Sequence, residues 1–102
     1  TSVIIGFRLT RNSNAICIGD ANGSEWRTTL TVNSSADANQ GSGGSFMYLD
    51  SPATTSAMTY QVQTGQLNTT VSSTTYINRD GNAGNAYNKR GTSTITVMEI
   101  AQ

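Results

Sequence analysis

Apolar and polar residues alternate with a period of two through most of this 102-residue chain, and no window carries the helical spacing i, i+3, i+4, i+7 over three turns. In the first run Val3, Ile5, Phe7 and Leu9 fall on one face, with Ile4, Gly6, Arg8 and Thr10 on the other. Asn12-Ser13-Asn14 is a turn cluster, and residues 15–19 form a short strand. It is closed by "GDANGS", whose Asn22-Gly23 favours a tight turn with positive φ. Residues 26–32 place Trp26, Thr28, Leu30 and Val32 opposite Arg27, Thr29 and Thr31. A strand at 46–49 ends in Asp50-Ser51-Pro52, because proline cannot donate to a ladder. Residues 55–64 set Met58, Tyr60 and Val62 against Ala57, Thr59, Gln61 and Gln63, and 71–78 and 92–101 supply the last strands.

Two stretches lack this alternation. Residues 33–45, "NSSADANQGSGGS", hold no apolar side chain larger than alanine, and 79–91, "RDGNAGNAYNKRG", is a second long polar loop. About seven to eight short strands, frequent turns and no helix predict a single all-β domain over residues 1–102, an antiparallel sandwich or barrel.

Composition sharpens this picture. Apolar residues make up 35% and charged residues 12%, against roughly 45–50% and about 25% in ordinary globular chains. Thr, Ser and Asn fill the difference, yet the β-branched and aromatic residues that disordered chains lack are present. The chain therefore folds, around a thin core that neighbouring subunits complete. Few charges guard its strand edges, so pairing with sister copies is the expected protection and the chain is expected to be a homo-oligomer.

Six basic residues balance six acidic ones with no run of either sign, which gives no surface for nucleic acid. No 18-residue apolar stretch offers a membrane span, and no signal peptide is expected. The opening "TSVIIGF" reads as a strand already under way, suggesting a processed or partial piece of a longer polypeptide.

One cysteine and no histidine remove the usual nucleophilic triads and zinc sites. Cys17, between Ile16 and Ile18, reads as a small buried hydrophobe. Asp20, Glu25, Asp37, Asp50, Asp80 and Glu99 are scattered, whereas a glycosidase needs two acids facing one cleft. Asp80-Gly81-Asn82 with Asn85 and Asn88 has a hint of calcium-loop spacing, but with one carboxylate it reads better as turn chemistry. Asp50 suits an Asx turn, Arg79 an ion pair or subunit contact, and Glu99 an ion pair or an exposed position. No catalytic residue, metal ligand or cofactor site is assigned. Trp26 reads as packed in its strand. Tyr87, with Asn88, Lys89 and Arg90, has less structural reason to be where it is, and these four are the candidate receptor or glycan contacts.

"YLDSPATTSAMTYQVQ", then "TYINRDG" and "RGTSTITVMEIAQ", occur in an order that resembles the C-terminal domains of tail-fibre-like virion structural proteins of marine and other environmental bacteriophages. The family's "YxNR" element maps on Tyr76-Ile77-Asn78-Arg79, its "STITVMEI" on residues 93–100, and its strand-turn-strand on "FRLTRNSNAICIGDANGSEWRT". The resemblance implies a jelly-roll-like β-sandwich, a homotrimer, and a place on an extracellular particle beside other virion proteins. Two functions then compete: a structural module of the tail or capsid surface, and a receptor- or glycan-binding tip using loops 33–45 and 79–91. An enzyme is the third and weakest class.

Overall fold

The computed structural model describes residues 3–34, 41–67 and 74–100. Those residues contain no helix and one antiparallel sheet of four strands: β1 (Val3–Arg11), β2 (Asn14–Ile16), β3 (Leu30–Ser34) and β4 (Tyr60–Gln66). β1 is the centre. β4 pairs along it from Ile5 to Arg11, so β2, opposite residues 9–11, and β3, opposite residues 3–7, must share its other edge.

The β1–β2 hairpin turns on Asn12 and Ser13, with φ of 49° and 69°. Positive φ at both central residues marks the type I′ turn, whose twist matches that of the strands it joins. Asn12 also pins the start of β4: its amide donates to the Thr59 carbonyl, and its side-chain oxygen accepts from the Thr59 amide, both at 2.8 Å. Gly23 takes the positive φ expected of Asn-Gly, at 55°, in a turn closed by the Glu25 amide on the Asn22 carbonyl.

Strand register assembles one apolar face. Ile5 lies opposite Val32, Phe7 opposite Leu30, and Leu9 between Ile16 and Val62. Residues 41–50 return across this face without forming a strand: Gly44 packs on the Leu30 side chain, and Asp50 ion-pairs with Arg11. Ile5 and Leu9 are the buried hydrophobic residues beneath. On the opposite face Thr28 and Leu67 close over Gly6, where a Cβ would sit 2.9 Å from the Thr28 methyl.

Thr29 fills the gap between β2 and β3. Its amide donates to the Phe7 carbonyl at 2.9 Å and its hydroxyl accepts from the Leu9 amide at 3.0 Å, so a side chain stands in for a missing strand residue. This break alters the expected strand at 26–32. Leu30 and Val32 face the apolar side, but Thr28 and Trp26 are turned to the other face, and Trp26 is 62% exposed instead of packed.

Other expectations also change. The seven to eight strands reduce to four among the described residues, and the second sheet of a sandwich is not among them. Residues 46–49 and 92–100 form no strand and pair with no described strand, while 71–73 lie outside the described residues and 74–78 form no strand. The predicted 15–19 strand ends at Ile16, because Cys17 takes a positive φ of 55°; Cys17 is only half-buried. Alternation records which faces a strand would present, but a ladder also needs a partner at the right distance, and residues 46–49 and 92–100 have none among the described residues. Among the described residues no helix is long and apolar enough to cross a membrane.

Leu9, in the buried pair on the central strand, is the sharpest test of this core. Leu9→Ala should lower unfolding free energy by about 2–4 kcal/mol, the usual cost of a large-to-small core change. Urea titration followed by circular dichroism measures it; a change below about 0.5 kcal/mol would mean that the core lies elsewhere.

Candidate functional site

The candidate contacts at 87–90 sit on a loop organised around one carboxylate. Arg79 and Arg90 form an isolated antiparallel bridge, flanked by the Gly91 amide on the Asn78 carbonyl at 2.7 Å and the Asp80 amide on the Lys89 carbonyl at 3.3 Å. Asp80, 5% exposed, lies inside this ring. Its Oδ2 accepts from the Lys89 amide at 2.9 Å and pairs with the Lys89 ammonium at 3.1 Å, with Asn88 Nδ2 at 3.5 Å. Burial pushes the Asp80 carboxyl up, but the hydrogen bonds and charge from Lys89 and Asn88 outweigh it and hold the pKa below the usual carboxylate range.

Two of the four proposed contacts are therefore committed to the loop itself. Asn88 and Lys89 face Asp80, and the Lys89 ammonium also donates to the Tyr87 carbonyl at 3.1 Å. Tyr87 and Arg90 are exposed. Arg79 stacks over the Tyr76 ring, 4.8 Å from its centroid, and its Nε donates to the Asp80 carbonyl at 3.0 Å. Within the chain it thus meets an aromatic face and a main-chain carbonyl, and the ion pairs found among the described residues do not include it. With its Oδ2 held by Lys89 and Asn88, Asp80 is a loop anchor, and among the described residues no group of three His, Cys, Asp or Glu could hold a metal ion.

A second polar cluster ties the strap to the sheet. Arg11 Nη1 donates to Asp50 Oδ1, and the Tyr60 hydroxyl donates to Asp50 Oδ2 at 2.6 Å. The register puts Arg11 directly opposite Tyr60, so both reach the same carboxylate. The hydrogen bonds from Arg11 and Tyr60 lower the Asp50 pKa, and Asp50 in turn raises those of Arg11 and Tyr60. The Asx-turn reading captured only the contact with the Ser51 backbone. Glu99 is exposed. A glycosidase acid needs a raised pKa; Asp50 and Asp80 are both shifted the other way.

The sheet face opposite the strap carries a shallow groove of about 160 Å³, floored by Gly6 and Gly65 and walled by Trp26, Arg8, Gln63 and Leu67. The Trp26 indole N–H donates to the Leu67 carbonyl at 3.2 Å, fixing an exposed ring beside the Arg8–Gln63 pair, which is hydrogen-bonded at 3.1 Å. Sequence reasoning missed this site: the face change at Thr29 is a tertiary event, and the usable signal was the chain's single tryptophan, Trp26, set among polar residues between Glu25 and Arg27. No family model matches the chain, and no similar curated protein or solved structure is found.

Both depressed carboxyl groups contribute stability that is present above about pH 4, the ordinary carboxyl range, and lost as pH falls through their lowered values. Tyr60, with its pKa raised, contributes stability present below about pH 10 and lost as pH rises through its folded value. Thermal melts should show a plateau between these limits and a fall on each side. Asp50→Asn should lower the plateau and flatten both falls; an unchanged profile would show that the Arg11–Asp50–Tyr60 cluster does not hold the strap.

Proposed function

We propose that this chain is a structural subunit of a bacteriophage virion, a tail-fibre-like or capsid-decoration module that assembles through its β-strand surfaces into a homo-oligomer. The carrying observation is surface that the chain leaves uncovered. It exposes 7884 Å², where a compact monomer of its mass exposes about 5,500 Å². Its radius of gyration is 16.2 Å, against about 13 Å for a compact domain of this length. Met47, Leu49, Ile95, Val97, Met98 and Ile100 are all more than half exposed, beside a core of Ile5 and Leu9. Apolar surface on this scale is covered in a stable protein, and association is how a chain with so small a core covers it.

The virion assignment comes from the resemblance of "YLDSPATTSAMTYQVQ", "TYINRDG" and "RGTSTITVMEIAQ", and a trimer is the stoichiometry that resemblance favours. A jelly-roll-like sandwich would then be completed on assembly, with a second layer formed by surfaces that the isolated chain leaves open. Light scattering at micromolar concentration should give a multiple of the 10.8 kDa chain. Because the surfaces are uncharged, that mass should hold between about 0.05 and 1 M salt. A monomer, or dissociation steeply dependent on salt, overturns the assembly reading.

The Trp26 groove favours a second task, recognition of a host-surface glycan or receptor. A fixed exposed indole offers a stacking face for a sugar ring, and Arg8 and Gln63 offer hydrogen bonds at its rim. Tyr87 and Arg90 extend the candidate surface on the loop. Under this reading, Trp26→Ala abolishes binding on a glycan array and leaves the oligomer mass unchanged, whereas Tyr87→Ala weakens binding less. Equal binding by wild type and Trp26→Ala removes the groove as the contact.

A further inference from the structure

Two unsatisfied features of this chain fit one another. The first is the outer edge of β4. The Asn12 amide donates to the Thr59 carbonyl and the Leu67 amide to the Ile4 carbonyl, so even-numbered residues of β1 direct their main-chain groups toward β4. The register places Thr10, Arg8 and Gly6 opposite Gln61, Gln63 and Gly65. Those three β4 residues therefore bond to β1, and Tyr60, Val62 and Thr64 direct their main-chain N–H and C=O outward. Among the described residues no strand pairs with that side.

The second feature is the segment 92–100, "TSTITVMEI". It is rich in β-branched residues, exposed throughout, and forms no main-chain hydrogen bond with any described residue. Ile95 and Val97 alternate with Thr94, Thr96 and Met98, a two-faced strand pattern without a sheet. Only its beginning is held, by the Ser93 hydroxyl on Asn78 Oδ1 at 2.7 Å. The chain thus presents a ready strand and a ready edge at once, and a strand left unpaired with β-forming sequence costs its main-chain hydrogen bonds any partner but water.

We infer that residues 92–100 of one copy add as a strand to the outer edge of β4 of the next copy. This rests on the assembly reading above and specifies its contact. β4 spans seven residues, about 23 Å, and the nine-residue segment is long enough to cover it. Uncharged Thr64, Val62 and Gln63 on the edge meet an uncharged donor run through Met98, so no charge needs burying. The area also agrees. A stable contact takes about 800 Å² from each partner, and each chain makes two such contacts, once as donor and once as acceptor. The surplus of about 2,300 Å² over a compact monomer accommodates both. Donor and acceptor are different surfaces, so the contact is head-to-tail; it makes a ring, a trimer included, where its rotation closes and an open filament where it does not.

Proline tests each side separately, since it removes the N–H that the added ladder needs. Val97→Pro, always carried together with Thr96→Pro so that one lost N–H faces β4 in either register, disables the donor, and Thr64→Pro the acceptor edge. Neither touches the β1–β4 bonds, and circular dichroism should report both variants folded. Each alone should lose the wild-type mass and run as a monomer. Mixed in equal amounts they should form a one-to-one dimer, because the intact segment of Thr64→Pro fits the intact edge of Val97→Pro. A synthetic peptide of residues 92–100 should bind Val97→Pro with one-to-one stoichiometry and fail to bind Thr64→Pro. Wild-type mass retained in Val97→Pro overturns strand donation and leaves assembly standing. A monomeric wild type overturns both, and in that case destabilisation by Val97→Pro would place the segment on β4 of its own chain. Failure of both the mixture and the peptide to associate also overturns the donation.

Discussion

Pairing of β1 on both edges is the constraint from which the rest of the structure follows. One nine-residue strand takes β4 along one side and β2 and β3 along the other, so every described strand depends on it and on no other. The consequence is a sheet with open edges and with one well-covered strip, where Ile5 and Leu9 lie. Among the described residues that strip is not extended into a second layer, in keeping with a chain only about one-third apolar.

Polar groups do the fastening that a larger core would otherwise do. Thr29 replaces a strand residue at the β2–β3 gap, Asn12 bonds twice to Thr59, and Asp50 gathers Arg11 and Tyr60 to hold the strap. Asp80 does the same for the 79–91 loop through Lys89. With only six acids in the chain, the use of two as internal anchors leaves a surface low in charge. That surface suits association, because few carboxylates or ammonium groups must be desolvated when copies meet.

Under the proposed function, assembly and recognition would occupy different parts of the molecule. The open edge of β4 and the segment 92–100 are backbone surfaces, whose ladder bonds demand regularity and tolerate many side chains. The Trp26 groove and the 79–91 loop present particular side chains on fixed supports. The virion module proposed above would use both kinds, one to set copy number and geometry and one to meet a host surface.

Local pattern alone determined the class and much of the detail near the turns. Period-2 alternation marked β1 and its two faces, Asn12-Ser13 marked a turn and Asn22-Gly23 a turn with positive φ, and the absence of helical spacing matches the lack of helix among the described residues. Tertiary structure decided which extended segments became strands. Residues 46–49, a continuous apolar run, and 92–100, which alternates much as β1 does, carry strand-like sequence, yet a strand exists only where a second backbone lies alongside it. It also decided the outward turn of Trp26 and the burial of Asp80, since both depend on residues far along the chain: Leu67 for the indole, and the Arg79–Arg90 closure for the carboxylate. Alternation is set by neighbours in sequence, whereas pairing and burial are set by neighbours in space, and only the fold brings those together.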